Sequence, residues 1–231
     1  MHHLRYIYSK AEEHAIGFRP VETSRGLLIV PPLFDEMNRM RRVLVSAMRH
    51  LAERGVASVM PDLPGCNESL SPLAVQDLNS WRGAISAAAQ AFGTTHIASL
   101  RGGSLIDDGP DMLPHWRLAP VKGSSLLKTM LRTRIAGDKE AGFVSNMESL
   151  MEQGLREPIE LAGNIIGPAM LASLEAGEPA QLSQLTQASL GAGDDGVNGS
   201  ALWLRAEPQD DAAMAASLAV HLDRWSASCG G

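Results

Sequence analysis

The stretch His96–Asp107, HIASLRGGSLID, joins an apolar run to a glycine-bearing turn. A strand that ends in such a turn and feeds into a helix lifts one side chain clear of the backbone. The apex residue takes a strained conformation, and the positions two before and two after it must be small to avoid a clash. Ser99 and Gly103 meet that demand around Arg101, and Gly102 gives the turn further freedom. The chemistry at the apex does not match the geometry. A nucleophile belongs there, whereas a guanidinium stays protonated at physiological pH and cannot attack a carbonyl.

Other groups nearby could attack in its place. Moving the apex to Ser104 puts Ile106 where a small residue is required and sets the serine about one helical turn past the strand. Ser99 would lie inside the strand. Cys66 comes after Gly65 in a second strand-end turn, but no histidine is placed to activate it. The seven histidines are His2, His3, His14, His50, His96, His115 and His221. His221 falls in a C-terminal helix, His50 on another helix, and His96 and His115 at the starts of strands. Asp194, Asp195, Asp210 and Asp211 are available as acids, but an acid with no base to orient has no triad role. Arg101 itself offers different chemistry. At a helix N-terminus, beside the amides of Gly102 and Gly103, it would make a fork for a carboxylate or phosphate. The bland alternative is an ion pair with Asp35 or Glu36, which would fill the same space.

Periodicity gives the elements that must position these groups. Leu4–Tyr8 and His14–Phe18 suit a small hairpin. RGLLIVPPL, Arg25–Leu33, reads as a strand buried on both faces and closed by prolines. Met37–Arg54 repeats apolar residues at helical spacing up to Gly55. Val56–Gly65 is a second buried strand with its turn, Pro72–Phe92 a long helix, Thr95–Leu100 a third strand and His115–Val121 a fourth. Strands alternating with helices of this length imply right-handed crossovers and a mostly parallel sheet. Residues 123–179 become largely helical and read as a cap-like insertion. Asp194–Ser200 is a loop by composition, Ala201–Ala206 a last strand, and Asp210–Ser226 a terminal helix.

Composition narrows the class. The chain has 231 residues, 45% of them hydrophobic, enough for a single domain with a sizeable core. A net charge of −6 argues against a nucleic-acid groove or a polybasic membrane surface. The two cysteines, Cys66 and Cys229, give no disulfide framework or metal-ligand spacing, and no apolar run approaches the ~20 residues of a membrane span. The polar N-terminus lacks signal-peptide character, which makes a cytoplasmic location the expectation.

The stretch VPPLFDEMNRMRRVLVSAMRHLAERGVASVMPDLPGCNES, Val30–Ser69, resembles the α/β-hydrolase superfamily. More narrowly it is similar to the type 2 hydrolase-like proteins associated with the bacterial exosortase and exopolysaccharide system. PPLFDEMNRMRR and DLPGCNES carry most of the match, and weaker similarity continues through LAPVKGSSLLKTMLRTRIAG and IELAGNIIGPAMLASLEA, about 150 residues in all. The resemblance implies a doubly wound α/β fold with its site at the carboxyl ends of the strands. It places Leu33, Phe34, Asp35 and Glu36 in the loop that supplies one oxyanion donor, the amide of Gly102 as the other, and Ala201 where the triad histidine would stand. Two readings are then open. The first is a degenerate hydrolase-fold protein with an accessory or binding role in an exosortase-associated system. The second is an active esterase or thioesterase using Ser104 or Cys66. A small anion or an acyl ester is the expected small-molecule partner. Neither cofactor nor metal is implied, and a homo-oligomer is compatible with the sequence.

Overall fold

The computed structural model describes residues 1–20, 23–191 and 196–229. Strand β1 (His2–Tyr8) turns through Ser9 and Lys10, both at positive φ, into β2 (Ala11–Phe18). Two such residues make a type I′ turn, whose twist matches an antiparallel hairpin. β3 (Gly26–Val30), helix α1 (Asp35–Glu53), β4 (Ala57–Pro61), α2 (Leu78–Phe92) and β5 (His96–Leu100) then alternate as the periodicity predicts.

After β6 (His115–Leu118) come α3 (Gly123–Glu140), α4 (Met147–Gly154), the hairpin β7 (Ile159–Leu161) and β8 (Asn164–Ile166), and α5 (Pro168–Ala176). β9 (Leu185–Leu190), β10 (Gly196–Val197) and α6 (Ala212–Ser228) complete the chain. The main sheet has the order β1-β2-β4-β3-β5-β6-β9-β10. β1, β2 and β4 pair antiparallel, and every pairing from β4 to β10 is parallel.

Alternation along β3 divides the core. Leu27 and Ile29 face α1 and α6 with Met40, Leu44 and Leu222, while Leu28 and Val30 face α2 and the inserted helices with Trp81, Ile85 and Leu126. Each face of the sheet is thereby covered, which accounts for its near-continuous apolar strands.

Four boundaries depart from the sequence reading. The long helix starts at Leu78, not Pro72, because Asp77 and Ser80 form a reciprocal capping box there, and Leu73–Val75 is a separate 3₁₀ turn. The strand expected at His115–Val121 stops at Leu118, since Ala119 sits at a φ of 47° ahead of Pro120. The insertion contains a two-stranded hairpin that helical periodicity does not show. Ala201–Ala206 is not a strand. Leu202–Leu204 is a 3₁₀ turn whose consecutive Leu202 and Trp203 are both buried, packed with α1 in the core on that face. The last strands lie upstream, at β9 and β10. Asp194 and Asp195 fall outside the described residues.

Candidate active site

β5 delivers the chain into the sharp turn that the sequence predicts. Arg101 comes directly after Leu100 and takes a φ of 53°, a left-handed conformation that an arginine rarely adopts. A β-carbon at Gly103 would lie 2.5 Å from the Pro31 carbonyl oxygen and 2.7 Å from that of Val30. Only glycine lets the turn sit this close to the end of β3. Phe34, after β3, and Ala119, after β6, also hold positive φ, at 57° and 47°. Three strained residues thus stand at the carboxyl ends of three neighbouring strands, β3, β5 and β6. Such conformations carry roughly 1–3 kcal/mol each and persist where the surroundings over-determine them.

Beyond the apex the helix is short, as DDGPDMLP after it requires, and it is 3₁₀ in type. Arg101–Leu105 is a single 3₁₀ turn that ends at Ile106, too short to supply a helix-dipole anion site. The space beside Gly102 is filled as well. A β-carbon there would meet Leu126 of α3 at 2.5 Å and Leu33 at 3.1 Å. Apolar side chains from the insertion and from the loop after β3 therefore pack against Gly102, the residue whose amide the resemblance assigns to an oxyanion.

Each of the three Arg101 guanidinium nitrogens makes a hydrogen bond. Its Nε and Nη2 donate to the two Glu36 carboxylate oxygens at 3.2 and 3.0 Å, and Nη1 donates to the Ala119 carbonyl at 3.2 Å. The Trp203 ring lies against its face, 4.8 Å from centroid to Cζ. Glu36 and not Asp35 is the partner; Asp35 pairs instead with Arg39 at 2.8 Å. Arg39 donates to the Trp203 carbonyl, which fixes the tryptophan from behind. The fork that could have gripped an external carboxylate holds an internal one.

Burial raises the Glu36 carboxyl above its ordinary 4.5, and the hydrogen bonds and charge of Arg101 only partly offset this. The folded chain then holds that proton more tightly than the unfolded chain. Glu36 accordingly contributes stability that is full below pH 4.5 and is lost as pH rises through the elevated value. Urea denaturation at successive pH values should show the wild type losing stability relative to Glu36→Gln from pH 4.5 towards neutrality. A relative gain over that interval would contradict the assignment.

Among the described residues no hydrogen bond joins Ser104, Ser99 or Cys66 to a histidine. Ser104 is buried, and its hydroxyl donates to the Arg101 carbonyl at 2.7 Å. Ser99 donates to Asp107 at 2.6 Å inside the core. Burial pushes the Cys66 thiol up to about 12, with Asp62 and Glu13 adding to the shift, so it is not a thiolate at neutral pH. His115 sets its two ring nitrogens 2.7 and 2.9 Å from the carbonyl oxygens of Leu113 and Asp107, His96 stacks edge-on against Trp225, and His50 pairs with Glu53. The loop after β10 reads Asn198, Gly199, Ser200, Ala201 and contains no histidine. Asp210 pairs with Arg42, and Asp211 caps α6. Among the described residues no three His, Cys, Asp or Glu side chains converge as metal ligands.

Leu33 and Phe34 are buried, Phe34 against Trp81 with centroids 5.3 Å apart. They wall a cavity of about 150 Å³ that also touches Cys66, Asn67 and Asn164 of β8. This crevice lies at the carboxyl ends of β3 and β4, and Arg101 does not line it. Trp203 and Ala119 are partners of Arg101 that sequence reasoning does not supply. The available signal is the tryptophan in an apolar run that is too short to need a strand.

Fold and turn together define an α/β-hydrolase fold with its elbow at Leu100–Gly103. Two solved structures show the likeness. Alpha/beta hydrolase domain-containing protein 10 from mouse superposes with a TM-score of 0.59 at 10% identity, covering 100% of both chains. Est1E from Butyrivibrio proteoclasticus, with ferulic acid bound, gives 0.58 at 14% identity over 80% of this chain and 76% of its own. No protein-family model and no curated protein matches the sequence. No helix among the described residues is long and apolar enough to cross a membrane.

Proposed function

We propose that this chain is a non-hydrolytic α/β-hydrolase-fold protein with a binding or accessory role. The observation that carries this reading is Arg101, which occupies the strained apex of the elbow and is clamped by both oxygens of Glu36. A serine hydrolase displays a free hydroxyl at that apex, with a histidine within about 3 Å to take its proton and donors facing the oxyanion. Here the apex is a paired cation, Leu33 and Leu126 pack against Gly102, and the loop after the last strand offers no histidine. The similarity of Val30–Ser69 to the type 2 exosortase-associated proteins supports a place in exopolysaccharide or protein-sorting metabolism. The insertion over residues 123–179 acts as a cap that seals the former active site, with Leu126 as its plug.

Turnover of p-nitrophenyl butyrate tests the reading. The wild type, Ser104→Ala and Cys66→Ala should all match the buffer rate. Turnover that disappears with either substitution would restore an esterase with an unorthodox nucleophile.

A further inference from the structure

A second cavity, of about 430 Å³, lies at the end of the sheet opposite the elbow. It is framed by the amino ends of β3 and β4 at Gly26 and Ala57, the start of β1, and the carboxyl end of α2. Its origin is local. One face of β1 packs towards α2 with Tyr8 close to Gly83, where a β-carbon would lie 2.8 Å from the tyrosine hydroxyl. Tyr6 meets Phe92 edge-on at 6.1 Å. Leu4 comes next on that face and lies across Gly17, whose β-carbon would be 2.6 Å from Leu4 Cδ1. Gly17 itself offers no side chain, and beyond Leu4 the face carries only the exposed His2, its partner in register. The interface passes from contact at Tyr8 to open space at His2.

The volume falls within the roughly 300–1,000 Å³ of small-molecule sites. Leu4, Leu27, Val59 and Phe92 make the interior apolar. The charged side chains that line it are basic, Arg19 and Arg25, and among the described residues no carboxylate side chain does so in a chain of net charge −6. Arg25 is already paired with Asp223 at 2.9 Å, which leaves Arg19, exposed at the end of β2, as the group that faces a newcomer. At the end of α2 the carbonyls of Ala89 and Gln90 are bonded to the amides of Thr94 and Gly93.

We propose that this cavity binds a linear monocarboxylate, its alkyl tail between Leu4, Val59 and Phe92 and its carboxylate at Arg19 and His2. With a methylene taking about the 30 Å³ of a liquid water, 430 Å³ has room for about fourteen such groups, so the octanoate chain and its carboxylate fit inside it. The site is separate from the elbow and does not depend on what the elbow does.

Isothermal titration of the full chain with sodium octanoate and with 1-octanol tests it. Octanoate should bind saturably at one site in the millimolar range or tighter. Ala91→Trp, placed on an exposed position of α2 at the cavity wall, should weaken octanoate about tenfold while leaving the circular dichroism spectrum unchanged. Arg19→Glu should weaken octanoate about threefold to fivefold and leave octanol unchanged. No saturable heat with octanoate, or affinity untouched by Ala91→Trp, would overturn the site. Equal effects of Arg19→Glu on acid and alcohol would overturn the assignment to a carboxylate.

Discussion

Asp107→Ala is expected to remove about 3–5 kcal/mol of stability, the scale found when one partner of a buried ion pair is deleted. Asp107 lies at the foot of the elbow and is fully buried. Its Oδ1 accepts from Arg117 Nη2 at 2.7 Å, and its Oδ2 from Arg117 Nε at 2.8 Å and from Ser99 at 2.6 Å. Arg117, itself 2% exposed, gives its remaining Nη1 to the Ala180 carbonyl, and His115 contacts the Asp107 carbonyl. The polar demands of the cluster are met internally. Deleting the carboxylate leaves a guanidinium buried in strand β6 with no anion. For a domain of this size the midpoint of thermal unfolding should fall by about 6–20 °C. Asp107→Leu with Arg117→Met should recover most of that loss, because an apolar pair of similar volume escapes the desolvation cost. A single-substitution loss below about 1 kcal/mol, read by urea denaturation, would show that the network is not holding β5 to β6.

The second large effect concerns the apex. Arg101→Ser restores the residue type that the elbow would carry in a working hydrolase, and it should yield no hydrolase. The substitution leaves the buried Glu36 without its guanidinium partner and removes the cation from the face of Trp203. The expected loss is about 2–3 kcal/mol, below the roughly 3–5 kcal/mol of a fully buried pair, because Glu36 can neutralise itself by taking up a proton. Ester turnover should stay at the buffer rate, since among the described residues no histidine is hydrogen-bonded to Arg101 or Glu36. Turnover appearing in this variant would mean that a base from outside the described network completes the site, and the non-hydrolytic reading would fail.

Much of this arrangement is legible in the sequence. The buried strands at Gly26–Val30, Ala57–Pro61 and His96–Leu100 stand out as unbroken apolar runs, and the small residues at Ser99 and Gly103 mark a turn tight enough to strain Arg101. Pairing of Arg101 with the first turn of α1 is one of two roles the sequence leaves open for it, and distance decides for Glu36 over Asp35. β9 escapes a reading by hydrophobicity because LTQASL alternates polar residues on a strand only half-covered towards the sheet edge, where no apolar run is required. The strand expected at Ala201–Ala206 fails for the converse reason. Its apolar residues are buried by a 3₁₀ turn against α1, which a run of this length satisfies equally well. The Asp107–Arg117 pair is not among the sequence expectations, although its signal is present. An arginine inside HWRLAPV, a strand otherwise apolar, calls for a buried anion nearby.

Treatment of the folded chain with a fluorophosphonate, and then intact-protein mass measurement, tests the central claim most directly. The account predicts an unmodified mass, because Arg101 cannot be phosphonylated and Ser99 and Ser104 are buried and already donating their hydroxyl protons. A single stoichiometric adduct that disappears in Ser104→Ala would contradict it and return the protein to the serine hydrolases.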